Sequence, residues 1–189
     1  MENEQRQQLL AIARQSIQHG LQYGRPLSVN AQDYDLTLQQ PGASFVTLNL
    51  HGQLRGCIGS LEARRPLAVD VAENAYAAAF RDPRFPPLSD SEFPRLEYHI
   101  SLLNPAEPMQ FTSEPDLLAQ LRPHVDGLIL EDRGHRGTFL PAVWESLPEP
   151  EQFWQHLKLK AGLPADYWSD SLKVSRYTVE EFSQPAAIR

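Results

Sequence analysis

SFVTLNLHGQLRGCIGS, residues 44–60, predicts structure more strongly than any other stretch of this chain. Residues 44–50 are rich in β-branched, aromatic and leucine side chains, which is typical of a strand. Residues 51–53 contain a glycine and predict a turn that returns the chain antiparallel. We therefore predict a β-hairpin whose second strand carries Cys57, the only cysteine.

The second strand of this hairpin presents two sets of side chains, because successive residues of a strand point to opposite faces. The set expected to pack inward is Leu54, Gly56 and Ile58, and the set expected to share the other face is Arg55, Cys57 and Gly59. A guanidinium beside a thiol favours the thiolate, which attacks electrophiles. Glycines near the sulfur allow a ligand to approach closely, and free amides there can hold an oxyanion. The alternative is a buried cysteine between glycines that mark a bulge or close packing.

The composition predicts one globular domain that is soluble and cytoplasmic. The chain has 189 residues, of which 41% are hydrophobic, and a net charge of −7. An excess of acidic residues disfavours non-specific nucleic-acid binding, which needs a basic surface. A single cysteine forms no intramolecular disulfide, so we expect the thiol in a reducing compartment. No run approaches the roughly 18 apolar residues of a membrane span.

Elements predicted elsewhere give an α+β fold with mainly antiparallel strands and packed helices. In the first half we predict a helix over 4–21, a helix over 67–80 after Pro66, a proline-rich loop over 81–87 and a strand over 97–103. In the second half we predict a helix from Ser113 to Leu121, a strand over 127–131, a turn over 133–137, a helix over 150–161 and one long strand over 172–182.

The order hairpin, helix, strand therefore occurs twice, over residues 44–103 and again over 127–182. One hypothesis is an internal duplication, which predicts the same strand order and helix hand in both copies. The other is a coincidence of a kind common in α+β proteins.

Charged residues of the proline-rich loop form a second candidate site. We predict that Arg55 and the loop residues Arg81, Asp82 and Arg84 form a cradle for a carboxylate or phosphate. Guanidinium groups bind such anions through paired hydrogen bonds. The alternative is that these arginines pair with acidic residues, or stack on Phe85 and Tyr76, and hold the loop in place.

The remaining polar candidates are weaker. Glu73 and Asn74 lie on an otherwise apolar helix, where Glu73 is a candidate base for Cys57 and a structural hydrogen-bonding role is the alternative. Glu97 and His99 share a strand face, and we interpret them as a solvent-facing pair. One cysteine and dispersed histidines provide no zinc or iron–sulfur spacing. We expect no intrinsic metal and no cofactor.

The hexapeptide LRGCIG, residues 54–59, together with several other motifs in order, resembles the AMMECR-type domain family, first described through the AMME syndrome candidate region. The other matching segments are residues 44–48, 65–67, 73–75, 78–88, 125–130, 140–141 and 160–164. Two departures are Ala142 and Leu159, in regions where members often carry glutamine and cysteine. If those positions were catalytic in relatives, this chain would lack them; lineage variation is the alternative.

The resemblance implies a single domain, residues 1–189, of two unequal and intertwined lobes at about 1–110 and 111–189, with the hexapeptide near a cleft between them. Bacterial members are known as protein A of the AmmeMemoRadiSam system, which implies a Memo-like protein and a radical SAM enzyme as partners. The resemblance brings no established reaction.

Three functional classes follow, and the sequence favours the first of them. In the first class the protein binds a small anionic or peptide-like ligand near the hexapeptide as an accessory of its system partners. In the second class Cys57 is the nucleophile of a transferase or hydrolase, with Arg55 stabilising charge and Glu73 or a distant histidine as base. In the third class the protein is a non-catalytic scaffold.

Overall fold

The computed structural model describes residues 1–185, and it confirms the predicted α+β class with antiparallel sheets. The helices are α1 (Asn3–Tyr23), α2 (Leu36–Gln39), α3 (Leu67–Phe80), α4 (Glu114–Gln120) and α5 (Pro150–Lys160). The strands are β1 (Pro41–Leu50), β2 (Gln53–Gly59), β3 (Arg65–Pro66), β4 (Leu96–Leu103), β5 (Glu107–Pro108), β6 (Gly127–Asp132), β7 (His135–Phe139), β8 (Lys173–Tyr177) and β9 (Val179–Gln184). Within this part of the chain no helix combines the length and the apolar character needed to cross a membrane.

The chain forms two compact units, of which the first comprises Met1–Leu103 and residues 180–185, and the second Asn104–Val179. The first unit contains the five-stranded sheet, with the order β2-β1-β4-β9 and with β3 paired to the start of β1. The predicted hairpin is confirmed, since Leu50 lies opposite Gln53. His51 and Gly52 form its two-residue turn with φ of 55° and 74°, the left-handed values that a type I′ turn requires.

A β-bulge interrupts this hairpin beside the hexapeptide. Leu48 lies opposite Gly56, but the next residue, Asn49, lies opposite Leu54, so Arg55 has no partner on β1. The extra residue shifts the alternation of faces. The prediction that Leu54 packs inward is therefore wrong, and its side chain is 44% exposed. Ile58, beyond the bulge, does pack against the core as predicted.

Helices α1 and α3 cover one face of the first sheet, which we call the inner face. Fully buried strand residues such as Val46, Leu48 and Ile100 share one core with these helices. Helix α3 begins and ends where the sequence predicted, because its small alanine side chains let it pack closely on most sides. The other face of the sheet, which we call the outer face, carries the alternate residues of β1, β2 and β4.

The second unit is a separate four-stranded sheet with the order β5-β8-β6-β7 and its own core. Trp144 stacks on Phe153 with ring centroids 3.8 Å apart, and its Nε1 donates to the carbonyl of Asp126 at 2.7 Å. Helix α5 buries Phe153, Trp154 and Leu157 in this core.

The long last strand predicted over 172–182 is wrong as a single element. The chain forms β8 in the second sheet and, after Thr178, β9 in the first sheet. Asn104 marks this break, because its N–H donates to the Thr178 carbonyl at 2.9 Å and its Nδ2 to Thr178 Oγ1 at 2.7 Å. The alternation of apolar and polar residues continues through the break, so it carries no information about which sheet each half joins. The predicted turn over 133–137 is also shorter, since only Arg133 and Gly134 separate β6 from β7.

The two hairpin-helix-strand segments have the same strand order. In the first segment the order is β2-β1-β4, and in the second it is β7-β6-β8, with antiparallel pairing throughout. The strand order is thus the one that the duplication hypothesis requires.

Candidate functional site

Cys57 points to the outer face of the first sheet. It lies opposite Thr47, whose Oγ1 donates a hydrogen bond to the Cys57 Sγ at 3.2 Å. The neighbours of Thr47 on β1, Val46 and Leu48, are fully buried on the inner face, so Thr47 and Cys57 face the other way. The thiol is half-buried and has no disulfide partner. A sulfur that accepts a hydroxyl hydrogen bond does so more strongly as thiolate than as thiol.

His99 extends this pair into a row across three strands. His99 on β4 lies opposite Thr47 on its other side, which gives the order Cys57, Thr47, His99 on the outer face. The His99 Nε2 is 3.2 Å from Asn49 Nδ2. Because an amide nitrogen donates, this contact makes Nε2 the hydrogen-bond acceptor of the ring. The sequence alone places His99 only beside Glu97 and gives no signal for Thr47, because the row depends on the register between strands. Glu97 instead accepts the Gly52 N–H at 3.1 Å and stabilises the hairpin turn.

Asp82 and Arg84 hold the backbone of Cys57 from the free edge of β2. The Cys57 N–H donates to Asp82 Oδ2 at 2.9 Å, and Arg84 Nη2 lies 3.4 Å from the Cys57 carbonyl oxygen. Since these groups point away from β1, Cys57 and Thr47 form a non-hydrogen-bonded pair, in which facing side chains are closest. Arg84 also donates to Asp82 through Nε at 3.0 Å and Nη2 at 2.7 Å. These bonds from Arg84, helped by the Cys57 N–H, hold the pKa of Asp82 far below its ordinary value despite burial.

Arg55 does not accompany the sulfur, and the prediction that they share a face is wrong. Its Nε donates to Glu92 Oε1 at 2.7 Å, and its Nη2 donates to Glu92 Oε2 at 3.2 Å and to the Pro86 carbonyl at 3.0 Å. The bulge is the reason, because it turns Arg55 toward the segment that follows α3. The guanidinium nearest to the Cys57 backbone is that of Arg84. The buried Nη1 of Arg55 has no hydrogen-bond partner within residues 1–185.

The Arg55–Glu92 pair makes stability depend on pH in acid. Hydrogen bonds from Arg55, with further ones from Ser89, lower the pKa of Glu92 from 4.5 to about 2. A lowered folded-state pKa stabilises the protein fully above pH 4.5, and this stabilisation is lost as the pH falls toward 2. We expect Glu92→Gln to lower the free energy of unfolding by about 2 kcal/mol at pH 7, after allowance for partial exposure.

Urea denaturation at pH 7 and pH 3 measures this effect. The difference between wild type and Glu92→Gln should shrink at the lower pH, whereas the exposed control Glu145→Gln should match wild type at both. A difference that is the same at both pH values would contradict the assignment.

The other members of the predicted anion cradle also have partners in the protein itself. The guanidinium carbon of Arg81 lies 5.0 Å from the centroid of the Tyr76 ring, and those of Arg55 and Arg84 lie 5.9 and 5.5 Å from the Phe85 ring. These contacts match the alternative in which the arginines hold the loop. Arg81 and Arg84 are both exposed, Arg84 with 55% of its side chain in solvent, whereas Arg55 is buried.

Packing within the chain accounts for both glycines of the hexapeptide. A Cβ at Gly56 would collide with the carbonyl oxygen of Ala78 in α3, and a Cβ at Gly59 would collide with the Phe45 ring and the Ser44 carbonyl. Gly56 is buried on the inner face, so its open side is filled by a helix and not by a ligand. This is the close-packing alternative.

Glu73 and Cys57 are not brought together. Val71 and Ala75 of α3 are fully buried against the sheet, and the helical period places Glu73 on the far side of the helix. The sulfur lies on the opposite face of the same sheet. Asn74 has the structural role that the sequence allowed, because its Nδ2 donates to the Ser44 carbonyl at 3.0 Å.

A buried polar network that sequence analysis did not predict surrounds Asn74. Asp70 Oδ2 accepts from the N–H of Ser44 at 3.0 Å and from its Oγ at 2.6 Å, while Asp70 Oδ1 accepts from Arg65 Nε at 2.8 Å. Asp70 is 2% exposed, so these bonds compensate for its burial. The network ties α3 to β1. An aspartate in the first turn of an apolar helix was the available signal.

Comparisons with known proteins agree with this fold over almost the whole chain. The family model AMMECR1 matches residues 10–182. A protein of Methanothermobacter thermautotrophicus is 36% identical over 182 residues, which cover 93% of this chain and 92% of the relative. A protein of Thermotoga maritima is 35% identical over 168 residues, covering 88% and 91%. The crystal structure of the uncharacterized protein PH0010 from Pyrococcus horikoshii is similar with a TM-score of 0.79 and 32% identity, and covers 93% of this chain and 89% of that one.

Proposed function

The chain belongs to the AMMECR1 family, and from that premise we propose that it binds a small anionic or peptide-like ligand on the outer face beside Cys57. In this proposal the same chain, with its ligand, acts as an accessory of a Memo-like protein and a radical SAM enzyme. The observation that carries the proposal is the hydrogen bond from Thr47 to the Cys57 sulfur within the row that ends at His99.

Polar groups with hydrogen-bonding capacity support this site. The thiol of Cys57, the hydroxyl of Thr47 and the imidazole of His99 are half-buried side by side on the face opposite to the one on which α1 and α3 pack. Such groups bind the amides of a peptide-like ligand or the oxygens of an anion. The exposed part of Arg84, which is paired with Asp82, adds hydrogen-bond donors near the same strand.

A rigid backbone below the row supports binding in preference to a purely structural role. Asp82 fixes the Cys57 N–H, and the Asp82–Arg84 pair is in turn held by three hydrogen bonds at 2.7 to 3.1 Å. A site that is already ordered loses less conformational entropy when the ligand binds. The motif thus positions one outward thiol precisely.

Protection of Cys57 from iodoacetamide tests the proposal. Because the chain contains one cysteine, the labelling rate reports on this site alone. We expect inorganic phosphate, for the anionic class, or triglycine, for the peptide-like class, to slow labelling with the concentration dependence of a single site. His99→Gln should lose this protection, whereas Ser101→Ala on the same face of β4 should retain it. Absence of protection by both probes, or equal protection in both variants, would refute the proposed site.

The system partners are supported by the family resemblance and are tested separately. Co-purification with a Memo-like protein or a radical SAM enzyme should survive Cys57→Ser, because we assign the thiol to the ligand and not to the partner surface. Loss of the complex in that variant would argue that Cys57 lies in the interface.

A second candidate function is acyl transfer with Cys57 as the nucleophile. The hydrogen bond that the Thr47 hydroxyl donates to the sulfur favours this function. The Cys57 thiol loses its proton as the sulfur adds to an acyl carbon, and the leaving group departs with that proton. Water then hydrolyses the thioester, which releases the acid and restores the thiol. p-Nitrophenyl acetate separates the two functions. Repeated turnover that is abolished by Cys57→Ser supports the nucleophile, and acetylation without turnover leaves only the binding function.

A further inference from the structure

A cavity of about 450 Å³ in the second unit, remote in sequence from the hexapeptide, contains two arginines. Arg122 follows α4, and Arg176 lies on β8. The sequence gives no signal for either arginine as a site residue, because they are 54 positions apart and belong to no recognised motif. The same cavity is lined by Glu107, Asn104 and Thr178.

Arg122 is held in one orientation by a buried carboxylate. Its Nη2 and Nε donate to Asp126 Oδ1 at 2.6 and 3.0 Å, and its backbone N–H donates to Asp126 Oδ2 at 2.9 Å. Asp126 is fully buried, whereas the Arg122 side chain is 52% exposed. The guanidinium is thus fixed on one side and open on the other, which reduces the entropy lost when it binds a ligand.

Arg176 has no such counter-charge. It lies opposite Leu128 of β6, which is fully buried, so the Arg176 side chain starts on the core-facing side of the sheet. It is half-buried, and its guanidinium forms no ion pair or hydrogen bond with any group in the described part of the chain. A partly desolvated charge without a partner is unfavourable. A bound anion would supply the missing partner.

Glu107 is the one carboxylate that lines the same cavity. It lies opposite Arg176 on β5, is exposed, and forms no ion pair within 4 Å with a described residue. Asp126 chiefly, and Glu107 at longer range, raise the pKa of Arg122. Glu107 therefore lowers the positive potential of the cavity without binding either arginine, and it competes with an incoming anion.

We propose that Arg122 and Arg176 form a binding site for an oxyanion group, either a phosphate or the carboxylate of a peptide. Two guanidinium groups across one cavity match the spaced oxygens of such a group. Thr178 Oγ1 accepts a hydrogen bond from Asn104, so its own O–H is free to donate to the ligand. This site lies in the second unit and shares no residue with the proposed ligand site beside Cys57.

Thermal unfolding of the full chain at constant ionic strength tests the site. We expect inorganic phosphate or triglycine to raise the melting temperature of wild type in a saturable manner. Arg176→Gln should weaken this binding by about tenfold or more, because it removes a charged hydrogen-bond donor. Glu107→Gln should strengthen it, since it removes the competing charge. The exposed control Arg64→Gln should behave as wild type.

The arms of this experiment distinguish the two sources of the oxyanion. Stabilisation by triglycine but not by its C-terminal amide assigns the site to a peptide carboxylate, and stabilisation by phosphate alone assigns it to a phosphate group. No stabilisation of wild type, equal stabilisation of wild type and Arg176→Gln, or weaker binding in Glu107→Gln would overturn the proposal. Iodoacetamide labelling of Cys57 should be unchanged in Arg176→Gln, which separates this site from the other one.

Discussion

Gly56→Ala is expected to destabilise the protein by about 3 kcal/mol or more, because a methyl group enters a space that backbone already occupies. The new Cβ would collide with the carbonyl oxygen of Ala78, which lies within α3 and cannot rotate away as a side chain can. Relief requires β2 to move away from the helix, which breaks the packing of the core. Urea denaturation of the purified variant measures the loss.

Leu54→Ala is the matched control for this prediction. It lies two residues away on the same strand, but its side chain is 44% exposed, so we expect a change near zero. Wild-type stability in Gly56→Ala would show that β2 and α3 are not in close contact. The glycine of the hexapeptide would then need a functional explanation, such as close approach of a ligand.

Asp82→Ala is expected to reduce stability by about 2–3 kcal/mol, because it removes the acceptor of the buried Cys57 N–H and the partner of Arg84. A second effect should appear at the thiol. Without Asp82 the edge of β2 opens more often, so iodoacetamide should label Cys57 faster under native conditions. Stability and labelling are thus two independent measurements on one variant.

Two further variants separate the contributions of Asp82. Asp82→Asn keeps an oxygen acceptor for the Cys57 N–H but loses the charge that pairs with Arg84, so we expect an intermediate loss. Asp90→Ala, an exposed aspartate of the same region, should alter neither quantity. A destabilised Asp82→Ala with unchanged labelling would mean that Asp82 supports the fold without controlling access to the sulfur.

Elements with a strong local pattern were predicted well. The bounds of α3 are correct, because a run of alanine and valine after a proline specifies a helix without reference to the rest of the chain. The hairpin turn at His51 and Gly52 is correct for the same reason, since its left-handed backbone is a local requirement.

Elements that depend on pairing between distant segments were predicted poorly. The bulge at Arg55 arises from the alignment of two strands, so a strict period of two placed the guanidinium on the wrong face. The division of the last strand at Thr178 depends on which sheet offers a free edge to each half. Neither is encoded in the spacing of residues along one strand.

The candidate site shows the same division. Its location around Cys57 came from residues 54–59 alone, because a lone cysteine among glycines is distinctive in any context. Its neighbours did not follow from the sequence. Thr47 and His99 join the sulfur through the strand register, and Asp82 joins it because α3 ends beside the edge of β2.

The sequence by itself determined the family and the α+β class, through motifs and elements spread along the chain. Residues 44–60 alone determined the hairpin and the cysteine on which the candidate site is centred. Only the tertiary structure decided which groups face the sulfur, which arginines of the hexapeptide and the proline-rich loop have partners, and that the half-buried Arg176 has none within residues 1–185. The physical reason is that hydrogen bonds and ion pairs of side chains form between segments far apart in the chain, as far as 174 residues for Arg6 and Glu180. Their partners are selected by packing and strand register, not by local propensity.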